Sequence, residues 1–208
     1  MTELVYTLLA EGSSDKALMD ILRWAIKHRL KDVPVQGHYA DLRLLRKAPG
    51  ALSERIRAAV ELYPCDLLFV HRDSDAASPQ QRKQEIQAAY EESGLSSPGM
   101  VMVIPVRMTE AWLLLDEEAI RGAAGNPNGK EPLDLPQAPD QIPNPKEVLG
   151  ELLKQASGLP GRRRKSFRPE RCIWQIPGRM KEFAILRRLS AFVDFETELE
   201  GALKLMRE

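Results

Sequence analysis

The chain has 208 residues, of which 43% are hydrophobic and 29% charged, with a formal net charge of zero. This composition excludes a disordered or fibrous chain and allows one ordinary domain with a self-sufficient core, or a domain with a small appendage. The neutral balance argues against capture of nucleic acid by the molecule as a whole, and leaves that role to local patches.

The segment Leu4–Ala10 (LVYTLLA) is a nearly continuous apolar run that stops at Glu11-Gly12, the pattern of a strand buried on both faces of a parallel sheet. Ser13, Ser14 and Asp15 offer N-cap oxygens, and Leu18, Ile21, Leu22 and Ala25 follow at helical spacing. Val35–Tyr39 is a candidate short strand. Ala51–Leu62 is an amphipathic helix closed by Pro64. Leu67–Val70 (LLFV) is a second buried strand, running into His71-Arg72-Asp73-Ser74-Asp75, and Pro79 opens a helix extending to about Glu92. Met100–Val106 (MVMVIPV) is a further strand, after which Thr109 is expected to cap a helix carrying Glu110, Trp112 and Leu113–Leu115. From Gly122 to Lys146 six prolines rule out a helix or central strand and predict a loop or lid. Lys146–Ser157 predicts a helix, and Lys181–Met206 one or two more.

Strands alternating with helices predict an α/β fold: a Rossmann-like, mainly parallel sheet with helices on both faces and a C-terminal helical extension. The expected organisation is a core over 1–121, a proline-rich loop over 122–146, and a helical, basic extension over 147–208 packed on the core. Cys65 and Cys172 lack zinc or CxxC spacing and read as buried free thiols. The opening MTELVYTLLAEG has no basic n-region, and no run approaches the ~18 apolar residues of a membrane span, so the expectation is a cytoplasmic protein.

In open α/β sheets, ligands bind at the carboxyl ends of the strands. Glu11, Asp73, Asp75 and Glu110 all follow predicted strands. Asp73 and Asp75 stand at i and i+2, on one side of an extended backbone. Carboxylates held together repel unless a cation or proton intervenes, and hard oxygen donors without a Cys/His cluster suit Mg²⁺ or Mn²⁺. Each acid also has an ordinary explanation: Asp15 as a helix cap, Glu110 as a residue favouring a helix N-terminus, the Asp-x-Asp pair as turn chemistry. Arg72 either neutralises a phosphate or pairs with a nearby acid, and His71 reads as a satisfied strand-end histidine. Trp112, Met100 and Met102 read as core.

Glu11-Gly12-Ser13-Ser14-Asp15 after one strand and Asp73-Ser74-Asp75 after another resemble the TOPRIM domain of topoisomerases, bacterial primases and overcoming-lysogenization-defect nucleases. His71–Asp75, Thr109-Glu110-Ala111-Trp112-Leu113-Leu114 and Asn144-Pro145-Lys146-Glu147 further resemble small stand-alone TOPRIM-like bacterial proteins, often encoded beside an ABC-type ATPase in suspected phage-defence loci. The resemblance implies Glu11 as a general acid/base that also touches metal, Asp73 and Asp75 as metal ligands, and Glu110 and Asp15 as groups completing one or two Mg²⁺ or Mn²⁺ sites. It implies nucleic acid, DNA or RNA, as substrate, and a separate ATPase or a second copy of the chain as protein partner. The chain has no GxxxxGK[ST] motif, so it carries no P-loop ATPase of its own.

Gly161–Arg188 holds ten Lys/Arg against Glu170 and Glu182, with Phe167 and Trp174 interleaved. Arg162, Arg163, Arg164, Lys165 and Arg168 are the candidate phosphate contacts; the alternative is a solvated basic loop. Three functions therefore stand open: a metal-dependent phosphodiester hydrolase, a non-catalytic module binding nucleic acid or an ATPase, and a receiver-like α/β domain, which the proline-rich and basic segments fit poorly.

Overall fold

The computed structural model describes residues 2–74 and 77–207, with the side chain of Ser13 left aside. Four strands form one parallel sheet: β1 (Leu4–Leu9), β2 (Val35–Tyr39), β3 (Leu67–His71) and β4 (Gly99–Val103), in the order β2-β1-β3-β4. Helices α1 (Leu18–Arg29), α2 (Leu52–Leu62) and α3 (Pro79–Glu92) connect them, giving the expected α/β architecture.

The apolar runs are continuous because the sheet is covered twice. Leu4, Tyr6 and Leu8 of β1, Leu67 and Phe69 of β3, and Val101 and Val103 of β4 face one core. Leu9, Leu68 and Val70 face another, against Ile56 and Ala59 of α2 and Ile86 and Ala89 of α3. Met100 and Met102 pack half-buried on this second side, whereas Trp112 is wholly buried in the first core. The strand period of two thus distributes each run between two apolar layers.

Past β4, a 3₁₀ turn over Thr109–Leu115 leads into α4 (Glu117–Ala123), α5 (Pro145–Ala156), the short α6 (Gly161–Ser166) and α7 (Ser190–Leu205). Phe192, Phe195, Leu199 and Leu203 of α7 share the first core with α1, and Trp112 meets Phe192 edge-on at 5.3 Å between ring centroids. Helix α7 thus supplies part of the layer that covers the sheet. Glu196 of α7 anchors this layer by accepting from Arg29 at 3.1 Å and from Arg187 at 2.7 and 3.0 Å.

The proline-rich stretch is tied down rather than standing off as a lid. Leu133 is buried, Asn126 donates to the Ala156 carbonyl at 2.9 Å, and Gln155 donates to the Pro132 carbonyl at 2.8 Å. The two cysteines are free but only half-buried, short of the full burial expected. No helix among the described residues is long and apolar enough to cross a membrane.

Candidate metal centre

The strand order fixes where the acids meet. The chain leaves β1 toward β2 on one side and leaves β3 toward β4 on the other, so the strand order reverses between β1 and β3 while all strands stay parallel. A crevice opens at the carboxyl ends of two such strands. Glu11 follows β1 and Asp73 follows β3, so the two flank this reversal. Asp75 lies outside the described residues.

His71, the last residue of β3, is 1% exposed and sits among the acids. Its Nδ1 lies 3.5 Å from Asp15 Oδ2 and its Nε2 lies 3.2 Å from Asp73 Oδ1. Burial favours the neutral ring, but the hydrogen bond to Asp73 and the charges of Asp15, Asp73 and Glu11 outweigh it and raise the imidazole pKa above its ordinary value. Nδ1 makes no hydrogen bond. His71 is therefore more than a satisfied strand-end histidine: it is a buried imidazole with a carboxylate beside each ring nitrogen.

Asp73 is held through one oxygen. Oδ1 accepts from the Thr109 backbone N–H at 3.0 Å and from the Thr109 hydroxyl at 3.3 Å, and that hydroxyl lies 2.8 Å from His71 Nε2. Thr109 does not cap the turn it begins; Met108 occupies the cap position in extended conformation. Its hydroxyl turns to β3 instead, because buried polar groups need partners and these are the ones in reach.

Glu110, the next residue, is 3% exposed. Burial and the charges of Asp73 and Asp15 raise its carboxyl pKa against the pull of Lys146, whose half-exposed ammonium lies 3.8 Å away. A helix-start acid would face solvent; this one faces the cluster. Asp15 has two roles, accepting the Gly12 N–H at 2.8 Å and facing His71. That bond occupies the Gly12 N–H and withdraws it from any bound phosphate. Tyr39 of β2 donates to the Gly12 carbonyl at 2.6 Å and fixes the same turn from the other side.

Arg72 resolves toward pairing. Its Nε is 2.8 Å from Glu11 without the alignment of a hydrogen bond, and its other arm donates to Glu85 at 2.8 Å. Arg82 joins Glu85 at 2.5 Å and donates to the Asp73 carbonyl at 2.9 Å. Sequence spacing does not single out Glu85 or Arg82; their place on the first turns of α3, beside Ser78 and Pro79, is the signal that could have found them.

Among the described residues no group of three or more His, Cys, Asp or Glu forms a ready cage for a metal. Mg²⁺ does not require one, since it takes one or two carboxylates and keeps several waters. Asp73, clamped through Oδ1, and Glu110, a buried carboxylate in a field of like charge, are hard oxygen donors whose chemistry fits such an ion.

Arg162, Arg163, Arg164 and Lys165 stand exposed on α6, with exposed Arg168 just beyond it. Lys165 and Arg168 line a groove of about 530 Å³ against α5, and Lys146, the cation beside Glu110, lines it too. The basic segment and the acidic cluster are thus joined through one residue. The chain matches no family model, curated protein or solved structure.

Proposed function

We propose that the chain is a divalent-metal-dependent nucleic-acid phosphodiester hydrolase with a TOPRIM-like fold, an endonuclease. The observation that carries the reading is the gathering of Asp73, Asp15 and Glu11 around buried His71 where the strand order reverses, with buried Glu110 in the field of Asp73 and Asp15. Burying several like charges is costly, and structures retain such clusters where a cation or a reaction uses them.

Asp73 and Asp75, with Glu110 or Asp15, would hold Mg²⁺ or Mn²⁺. When bound, the ion polarises the scissile phosphate and neutralises charge on the reacting oxygens. Glu11 carries the proton at the attacking or leaving oxygen. Arg72 orients Glu11 through their ion pair and lies where an anionic substrate would meet it. Lys146, Lys165 and Arg168 line the groove and would draw the polynucleotide backbone along it, with the exposed arginines of α6 adding positive charge nearby in the chain. The test is cleavage of single- and double-stranded DNA and RNA with Mg²⁺ or Mn²⁺. Asp73→Asn should abolish cutting while leaving the melting temperature close to wild type. Normal cutting by that variant would refute the mechanism.

The ion pair that occupies Glu11 favours a second reading: a module that binds nucleic acid or a separate ABC-type ATPase in phage defence, with cleavage only in the partner's presence or not at all. Titration with Mn²⁺ separates the two, since a non-catalytic module needs no metal affinity.

A further inference from the structure

Resting on the metal-hydrolase reading, we propose that Thr109 and His71 are positioning residues that lock Asp73 by one carboxylate oxygen and so present the other to the cation. Three groups converge on Oδ1: the Thr109 N–H at 3.0 Å, the Thr109 hydroxyl at 3.3 Å and His71 Nε2 at 3.2 Å. Among the described residues no hydrogen bond reaches Oδ2. With the proton on Nε2, the donors form a relay in which the imidazole donates to the Thr109 hydroxyl and the hydroxyl donates to Asp73. That assignment follows from the network, because Asp73 can only accept.

The clamp is built rather than incidental. Thr109 is 2% exposed and His71 1%, so both polar groups were withdrawn from water to meet one carboxylate oxygen. Two residues before Thr109, Arg107 adopts a left-handed backbone at φ 71°. A non-glycine residue there is strained, and such strain gathers at functional sites. The kink lies four residues past β4 and two before Thr109, whose N–H meets Asp73 just beyond the end of β3. A carboxylate fixed in this way loses its rotational freedom on folding instead of on metal binding. Partners of this kind, behind metal-ligating groups, typically govern affinity by about 10- to 100-fold.

The experiment measures Mn²⁺ affinity by calorimetry and by the loss of the free-ion paramagnetic resonance signal, with no substrate present. Thr109→Val keeps shape and backbone N–H but removes the hydroxyl, and should weaken Mn²⁺ binding by about tenfold or more. Thr109→Ser restores the hydroxyl and should bind as wild type does. A loss of packing alone would lower the melting temperature of both variants without this split. If Thr109→Val does not fold, His71→Gln reads the clamp from its other side and should weaken binding likewise. Wild-type affinity in Thr109→Val or His71→Gln, beside a wild type that binds, overturns the clamp alone. No Mn²⁺ binding by wild type overturns the metal reading, and the clamp's role with it.

Discussion

Gly37 lies directly opposite Tyr6 in the β1–β2 pairing, and the wholly buried Tyr6 ring lies over it to donate its hydroxyl to the Met19 carbonyl at 2.9 Å. A methyl group on Gly37 would fall closer than 3.0 Å to two carbons of that ring and to its hydroxyl oxygen. Gly37→Ala therefore drives the ring from its site. Overpacking costs about 1–3 kcal/mol, the displaced hydrogen bond about 1 kcal/mol, and removing a strand glycine returns about 0.5–1 kcal/mol. The net loss is about 2 kcal/mol, which for a chain of this length lowers the melting temperature by roughly 4–8 °C. The consequence reaches the site, because β2 carries Tyr39, whose hydroxyl holds the Glu11-Gly12 turn. Calorimetry of Gly37→Ala alone and in a Tyr6→Leu background is the assay. With the ring removed, the alanine should be neutral or stabilising. An alanine that melts at or above wild type by itself, or costs the same in both backgrounds, refutes the reasoning.

Glu196 is held below its ordinary value: burial alone would raise it, but the guanidiniums of Arg187 and Arg29 outweigh burial. A depressed folded pKa contributes stability above the unfolded value and loses it as pH falls through the carboxylate range, so urea midpoints should drop on acidification, less so in Glu196→Gln. At pH 7 that variant should lose about 2–4 kcal/mol, since two guanidiniums are left facing one amide; an unchanged midpoint would contradict the cluster. Glu110→Gln should raise the denaturation midpoint of the metal-free chain at pH 7 by relieving like-charge crowding, and abolish metal-dependent cutting; a lowered midpoint would mean that the carboxylate is structural. Replacing Arg162, Arg163 and Arg164 together with Glu should leave thermal stability unchanged, because all three are exposed, while weakening oligonucleotide binding and flattening its salt dependence by about one unit of slope for each phosphate no longer neutralised. Equal affinity and slope would remove α6 from the interface.

Local pattern makes much of the fold legible. Short apolar runs ending in Glu11-Gly12 and in His71–Asp75 read as buried strands feeding turns from their length and flanking residues, and Pro64, Pro79 and the periodicity of Ala51–Leu62 mark helix ends, because these signals act within a few residues. The acids at the strand ends are legible for the same reason. Thr109 reads as a cap because a Thr before an acidic, apolar segment has that local meaning, yet its real partners are 36 and 38 residues away. His71 reads as an ordinary strand-end histidine because nothing adjacent in sequence shows that Asp15 stands beside it.

The sequence by itself determined the elements, their alternation and the acidic character of the strand ends, since backbone propensity and hydrophobic period are properties of neighbours. Only the tertiary structure decided the order β2-β1-β3-β4, the pairing of Glu11 with Arg72, the burial of Glu110 beside Lys146, and the closure of the first core by α7. Each of these rests on contacts between distant segments, whose strength depends on burial and distance rather than on the identity of neighbouring residues.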